Sequence, residues 1–151
     1  MDFLMNFVII TLLISPVIAL VHESGHAFFL KIFGAKVSEF SIGNGDILWR
    51  TNNFSIKKVY FFGGRVFSEN HEILNKSQRI FFYLGGVIFN FLSALVLHLF
   101  TDYEFLVFRN YLDSFIFVSY LTVLINLLPL NTIIGATDGK QLVELYRNGE
   151  K

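Results

Sequence analysis

Val17-Ile18-Ala19-Leu20-Val21-His22-Glu23-Ser24-Gly25-His26-Ala27-Phe28-Phe29-Leu30 is the stretch that decides the fold. It closes an apolar run that starts at Phe3 and is broken before Val21 only by Asn6, Thr11, Ser15 and Pro16. Continued to Lys31, the run is long enough to cross a bilayer as a helix. An ionisable cluster at its inner end is costly at membrane depth and by default functional. On a helix, His22 and His26 stand on one face about 6 Å apart along the axis, within reach of one metal ion. Glu23 then sits beside that ion. A zinc ion held by such a pair makes water acidic near pH 7, and an adjacent carboxylate can take the proton as the water attacks a carbonyl.

His-Glu-x-x-His is a spacing used in metal-dependent peptide hydrolysis. The competing reading, polar residues capping the end of an apolar helix, is weakened by the apolar residues on both sides of the motif. Composition agrees with a membrane setting: of 151 residues, 54% are apolar, 17% aromatic and only 16% charged. The length allows one domain. Acidic and basic residues balance at 12 each, and without a basic run there is no footprint for nucleic acid. The absence of Cys excludes disulfides and thiolate metal sites, so metal ligands must be His and carboxylate. The first span is not read as a signal peptide, because no Lys or Arg precedes it and no small-residue cleavage pattern follows. Pro16 is expected to kink it one to two turns before His22.

Beyond the first span, taken as 3–31, the texture changes. From Gly34 to Asn70 short apolar and polar alternations are broken by Gly43-Asn44-Gly45-Asp46, Thr51-Asn52-Asn53 and Gly63-Gly64. These predict strands over Lys36 to Ile42, Ile47 to Arg50 and Phe54 to Phe62, joined by hairpin turns within a strand region at 36–67. The region is too polar to span a membrane as a helix and too rich in Phe, Ile and Trp for a solvated loop. It is expected to lie against the bilayer or pack on the helices. A second span is predicted at 79–100, with a helix start at Ser77. Gly85 and Gly86 allow a neighbouring helix to approach closely, and Asn90 can bond across to it. His98 is read as a packing or interfacial residue. Thr101 to Asp113 reads as a connection and 113–130 as the third span. Asn131 to Thr137 reads as a loop, Asp138-Gly139 as a cap, and Lys140 to Arg147 as a short amphipathic helix.

The fold class expected is therefore a mainly α membrane protein: a core of three transmembrane helices with a small membrane-associated β region between helices 1 and 2. Lys31, Lys36, Arg50, Lys57, Lys58, Arg65, Lys76 and Arg79 lie between the first two spans, against Arg109 alone between the second and third. Positive residues stay cytoplasmic, which puts the N-terminus outside and the strands and C-terminus inside. The inner ends of spans one and three then share the cytoplasmic face, where a third metal ligand must be found. His98 lies at the other face. His71, Glu39, Asp46, Glu69, Glu72, Asp138 and Glu144 all remain possible; Asp138 is preferred because it follows the one other span with buried polar residues, its alternative role being a helix cap.

Together these residues resemble the site-2 protease family, the M50-type intramembrane zinc metallopeptidases. The resemblance rests on His22-Glu23-Ser24-Gly25-His26, the following Phe33 to Gly45, and Gly63-Gly64. It extends to Gly86 with Asn90, set against Gly-Pro-x-x-Asn, and to Asn126-Leu127-Leu128-Pro129 with Asp138-Gly139, set against Asn-x-x-Pro to Asp-Gly. It covers nearly the whole chain in the right order. It implies one Zn²⁺ per chain on His22, His26 and Asp138, and Glu23 as general base. It also implies that Asn126 holds the substrate backbone or the developing oxyanion. Asn90, Gly43, Gly45, Gly63 and Gly64 join Asn126 in binding substrate, which enters by strand addition. The substrate implied is a transmembrane protein or membrane peptide cut in or near its membrane segment. The alternative is a catalytically idle relative that binds such a peptide as a scaffold or immunity protein, against which the intact Glu23 stands. Two features depart from the family: Val87 replaces its Pro, and the gap from Pro129 to Asp138 is longer. No segment reads as a PDZ or CBS domain, so a minimal catalytic unit is expected. The Phe, Ile, Leu, Asn and Lys bias resembles an AT-rich bacterial genome, and the expected location is a bacterial cell membrane.

Overall fold

A computed structural model describes residues 2–100 and 109–148. The apolar run forms one helical rod in three pieces: α1 (Asp2–Ile9), a π-helical turn (Ile10–Ile14) and α2 (Ser15–Ile32). The expected disturbance from Pro16 is present, but it lies upstream of the proline and away from His22. A proline disturbs the turn before it, because it has no N–H for the carbonyl four residues earlier and its ring crowds that carbonyl. The π turn absorbs the misfit, and the Ser15 hydroxyl donates to the Ile10 carbonyl at 3.1 Å.

Three helices are long and apolar enough to cross a membrane: Phe3–Ile32, α3 (Lys76–Leu99) and α4 (Arg109–Leu127). The first has 30 residues, about 45 Å of helix, and so exceeds the hydrocarbon thickness even when tilted. α3 starts before Ser77. Its N-cap is Asn75, whose side chain accepts from the Gln78 N–H at 2.9 Å while the Gln78 side chain accepts from the Asn75 N–H at 3.0 Å. This reciprocal capping box outcompetes the single hydroxyl of Ser77. α4 ends two residues ahead of Pro129. Of the connection expected at 101–113, residues 101–108 lie outside the described residues.

Between α2 and α3 the chain forms two long antiparallel strands, β1 (Glu39–Thr51) and β2 (Phe54–Phe67), rather than three short ones. The turn at Thr51 to Asn53 is as expected, with Asn52 at φ 45°. The Gly43 to Asp46 stretch is not a turn; it is an irregularity inside β1, with Gly43 and Gly45 at φ 87° and 83°. Gly43 is required twice over, since a Cβ there would also collide with the backbone of Val59 and Tyr60. The strands bend enough for β1 to lie between both ends of β2: Phe40 faces Val66 and Phe54, Ser41 faces Arg65 and Ser55, and Ile42 faces Gly64 and Ile56. A small core of Leu30, Ala35 and Leu74, with Phe33, Val37, Val66 and Phe82 against it, ties the sheet to α2 and α3.

α2 and α3 touch backbone to backbone at Gly25 and Gly85, where a Cβ on either would overlap the other. The segment after Pro129 is a miniature hairpin, β3 (Asn131–Thr132) with β4 (Gly135–Ala136), and it leads into α5 (Asp138–Asn148). Thr137 clamps this hairpin at its base: its hydroxyl donates to the Leu128 carbonyl and accepts from the Leu130 N–H at 3.1 Å. The far end of α5 rests on the start of α3, with Lys76 Nζ 4.6 Å from the centre of the Tyr146 ring.

Candidate metal centre

His22 and His26 lie one turn apart on the buried face of α2, at 8% and 7% exposure, and Asp138 opens α5 at 4%. His22 Nε2 is 3.2 Å from His26 Nε2 and 3.3 Å from Asp138 Oδ2, and His26 Nε2 is 3.5 Å from Asp138 Oδ1. Ligands about 2.0–2.1 Å from a tetrahedral zinc ion are separated from one another by about 3.3–3.4 Å. The three donors already have that spacing. Asp138 Oδ2 is moreover buried without a hydrogen-bond partner, an expense that a cation removes. Two neutral imidazoles and a carboxylate are a donor set that suits zinc. Among the described residues this is the one group of three or more His and acidic side chains placed to hold a metal ion.

The other candidates for a third ligand are engaged elsewhere or exposed. Glu39 pairs with Lys57, Asp46 with Lys58 and Glu144 with Lys140. His71 Nδ1 lies against the Ser68 carbonyl at 3.0 Å, and Glu69 and Glu72 are exposed. Asp138 is also not the cap of α5. That role belongs to Thr137, whose hydroxyl accepts from the Lys140 N–H at 3.3 Å. A Thr directly before an Asp-Gly at a helix start was a legible N-cap signal, and it leaves the Asp138 carboxylate free to turn inward.

The histidines are held from behind by α3. His26 Nδ1 is 2.7 Å from the Phe82 carbonyl and His22 Nδ1 is 3.3 Å from the Asn90 amide. The His22 ring lies directly on Gly86, where a Cβ would overlap it. The backbone partner at Phe82 has no sequence signature. Asn90, read from sequence as a substrate contact, is fully buried with its amide against His22.

Glu23, buried at 6%, lies under β2. Gly64 is what permits this, because a Cβ there would stand 2.6 Å from Glu23 Cγ and 2.8 Å from Oε1. The neighbouring Gly63 faces Ile134 of the small hairpin, whereas Gly43 meets β2 backbone and Gly45 is exposed with nothing near it. Asn126 is half-buried near the end of α4. Its side-chain N–H donates to the Thr122 carbonyl at 3.0 Å, one turn back on its own helix. His98 is at the other end of α3, its ring 6.5 Å from that of Tyr120.

Comparison with known proteins identifies the family. The chain is 27% identical over 141 residues to the "Uncharacterized membrane protein YwmF" of Bacillus subtilis, a match covering 93% of this chain and 88% of that protein. It is 30% identical over 112 residues to a Helicobacter pylori protein named "Putative zinc metalloprotease", covering 61% of this chain but 32% of that longer protein. Residues 7–107, which carry the two histidines, Glu23, the sheet and α3, match Peptidase family M50. This chain, a membrane protein with three apolar helices around a His-His-Asp cluster, belongs to Peptidase family M50.

Proposed function

We propose that the protein is an intramembrane zinc metalloprotease that hydrolyses a peptide bond in or near a transmembrane segment of a membrane protein or peptide. The observation that carries this reading is the convergence of His22, His26 and Asp138, with ligand atoms within 4.8 Å of one another, beside a buried Glu23. The three side chains would hold one Zn²⁺, leaving a fourth position open. When bound there, zinc supplies Lewis acidity, polarising a peptide carbonyl and rendering water acidic near neutral pH.

The chain's own residues do the rest. Glu23 takes the proton from the attacking water and returns it to the departing amide nitrogen. The Phe82 carbonyl fixes the His26 ring, and β2 holds the Glu23 side chain in place through Gly64. A substrate helix must unwind before its carbonyl is open to attack, and pairing with the edge of the β1–β2 sheet replaces the lost backbone hydrogen bonds. Asn126 exchanges its bond to the Thr122 carbonyl for one to the substrate backbone. The excess of Lys and Arg between the first two spans supports a cytoplasmic position for this end of the molecule, with the N-terminus outside.

The test is to purify the protein in detergent, measure bound metal, and co-express it with candidate membrane proteins. About one zinc per chain is expected, with cleavage that stops on chelation and returns on zinc addition. His22→Ala and His26→Ala should lose the metal. Full zinc occupancy in both variants would falsify the site.

A further inference from the structure

We infer that Asn90 is a positioning residue that fixes the tautomer of His22, keeping Nε2 unprotonated and aimed at the metal. The inference rests on the zinc-protease reading and adds to it a residue outside the ligand set.

Asn90 is fully buried in α3, and its side-chain amide meets His22 Nδ1 at 3.3 Å. With the amide nitrogen facing the ring, Nδ1 must accept a hydrogen bond, which puts the imidazole proton on Nε2. That is the atom 3.3 Å from Asp138 Oδ2, and a protonated nitrogen cannot be a ligand. In this orientation Asn90 Oδ1 is buried without a partner. An amide nitrogen and oxygen have nearly the same shape, and the hydrogen-bond network decides which is which. Rotating the amide by half a turn brings Oδ1 to His22 Nδ1, where it accepts the ring proton and frees Nε2. His26 already has this arrangement, with Nδ1 on the Phe82 carbonyl at 2.7 Å. α3 then supplies an oxygen to the outer nitrogen of each histidine, one from the backbone and one from Asn90. A partner of this kind orients a ligating imidazole and raises its basicity, and its loss typically costs 10–100-fold in metal affinity.

The experiment measures zinc affinity by chelator competition on the purified full chain, for wild type, Asn90→Leu, Asn90→Asp and His22→Ala. Asn90→Leu keeps the volume and removes the acceptor, so its affinity should fall about 10–100-fold. Asn90→Asp keeps the acceptor and removes the amide N–H, so it should hold zinc at least as tightly as wild type. That rescue separates an acceptor from a donor role, since a site that needed the amide N–H would fail in both variants. Wild-type affinity in Asn90→Leu, or loss in Asn90→Asp equal to that in Asn90→Leu, overturns the inference and leaves the protease reading intact. A wild-type protein that binds zinc no better than His22→Ala overturns both.

Discussion

Gly64 lies against Glu23 so closely that the smallest side chain at position 64 would occupy the space of the Glu23 carboxyl, 2.8 Å from Oε1. A strand from the sheet and a helix from the bundle are thus fitted to each other at the proposed base. The arrangement allows proton transfer and metal binding to be perturbed separately.

Gly64→Ala should push Glu23 aside and lower cleavage by at least tenfold, with bound zinc unchanged, because the atoms nearest a Cβ at position 64 belong to Glu23 and Ser41. Metal content and turnover measured on the same preparation check this. Zinc lost in proportion to activity would mean that the sheet holds the metal site and not the base.

Glu23→Gln preserves volume and removes the proton acceptor. The variant should fold and hold its zinc, while cleavage falls by about 10²–10⁴-fold, the usual contribution of a general base. Undiminished proteolysis would remove Glu23 from the mechanism.

Asp138→Ala and Thr137→Ala separate ligand from cap at adjacent positions. The first should lose zinc. The second removes the hydroxyl that caps α5 and clamps the loop at Leu128 and Leu130, so it should cost about 1 kcal/mol or more of stability with metal still bound at saturation. Thermal unfolding with metal analysis distinguishes them, and normal zinc in Asp138→Ala would send the search for a third ligand elsewhere.

The Lys and Arg distribution predicts the topology. A reporter fused after Lys151 should read as cytoplasmic, and one inserted between α3 and α4 as external. The opposite pattern would place the site at the other membrane face.

Much of this architecture was legible in the residues, and for identifiable reasons. The three spans follow from length and apolarity, and His22, Glu23 and His26 from a spacing that a helix converts directly into geometry. Asp138 was preferred because it follows the one other span with buried polar residues, though a carboxylate at a helix start can also be a cap, a role the structure gives to the Thr137 hydroxyl. The sheet was misjudged in detail: glycines at 43 and 45 announce positive φ, but whether positive φ makes a turn or a bulge depends on the partner strand, and here β2 runs past it. Asn90 was noticed as a polar residue in an apolar helix, yet the helix packing that sets it behind His22 depends on Gly25 meeting Gly85. Asn126 was matched through a motif, which cannot say that its amide is bonded to its own helix. The Phe82 carbonyl is invisible in sequence because every residue has one.

Asp138 stands at the start of α5, after the third span, whereas both histidines and Glu23 belong to the first. A chain emerging from the ribosome therefore inserts the proposed base and two proposed ligands long before the third exists. On the proposed reading, the metal would have an incomplete seat until α4 has been inserted and α5 has folded back against α3. In the proposed protease, the order of residues along the chain would therefore set the time at which the centre is completed.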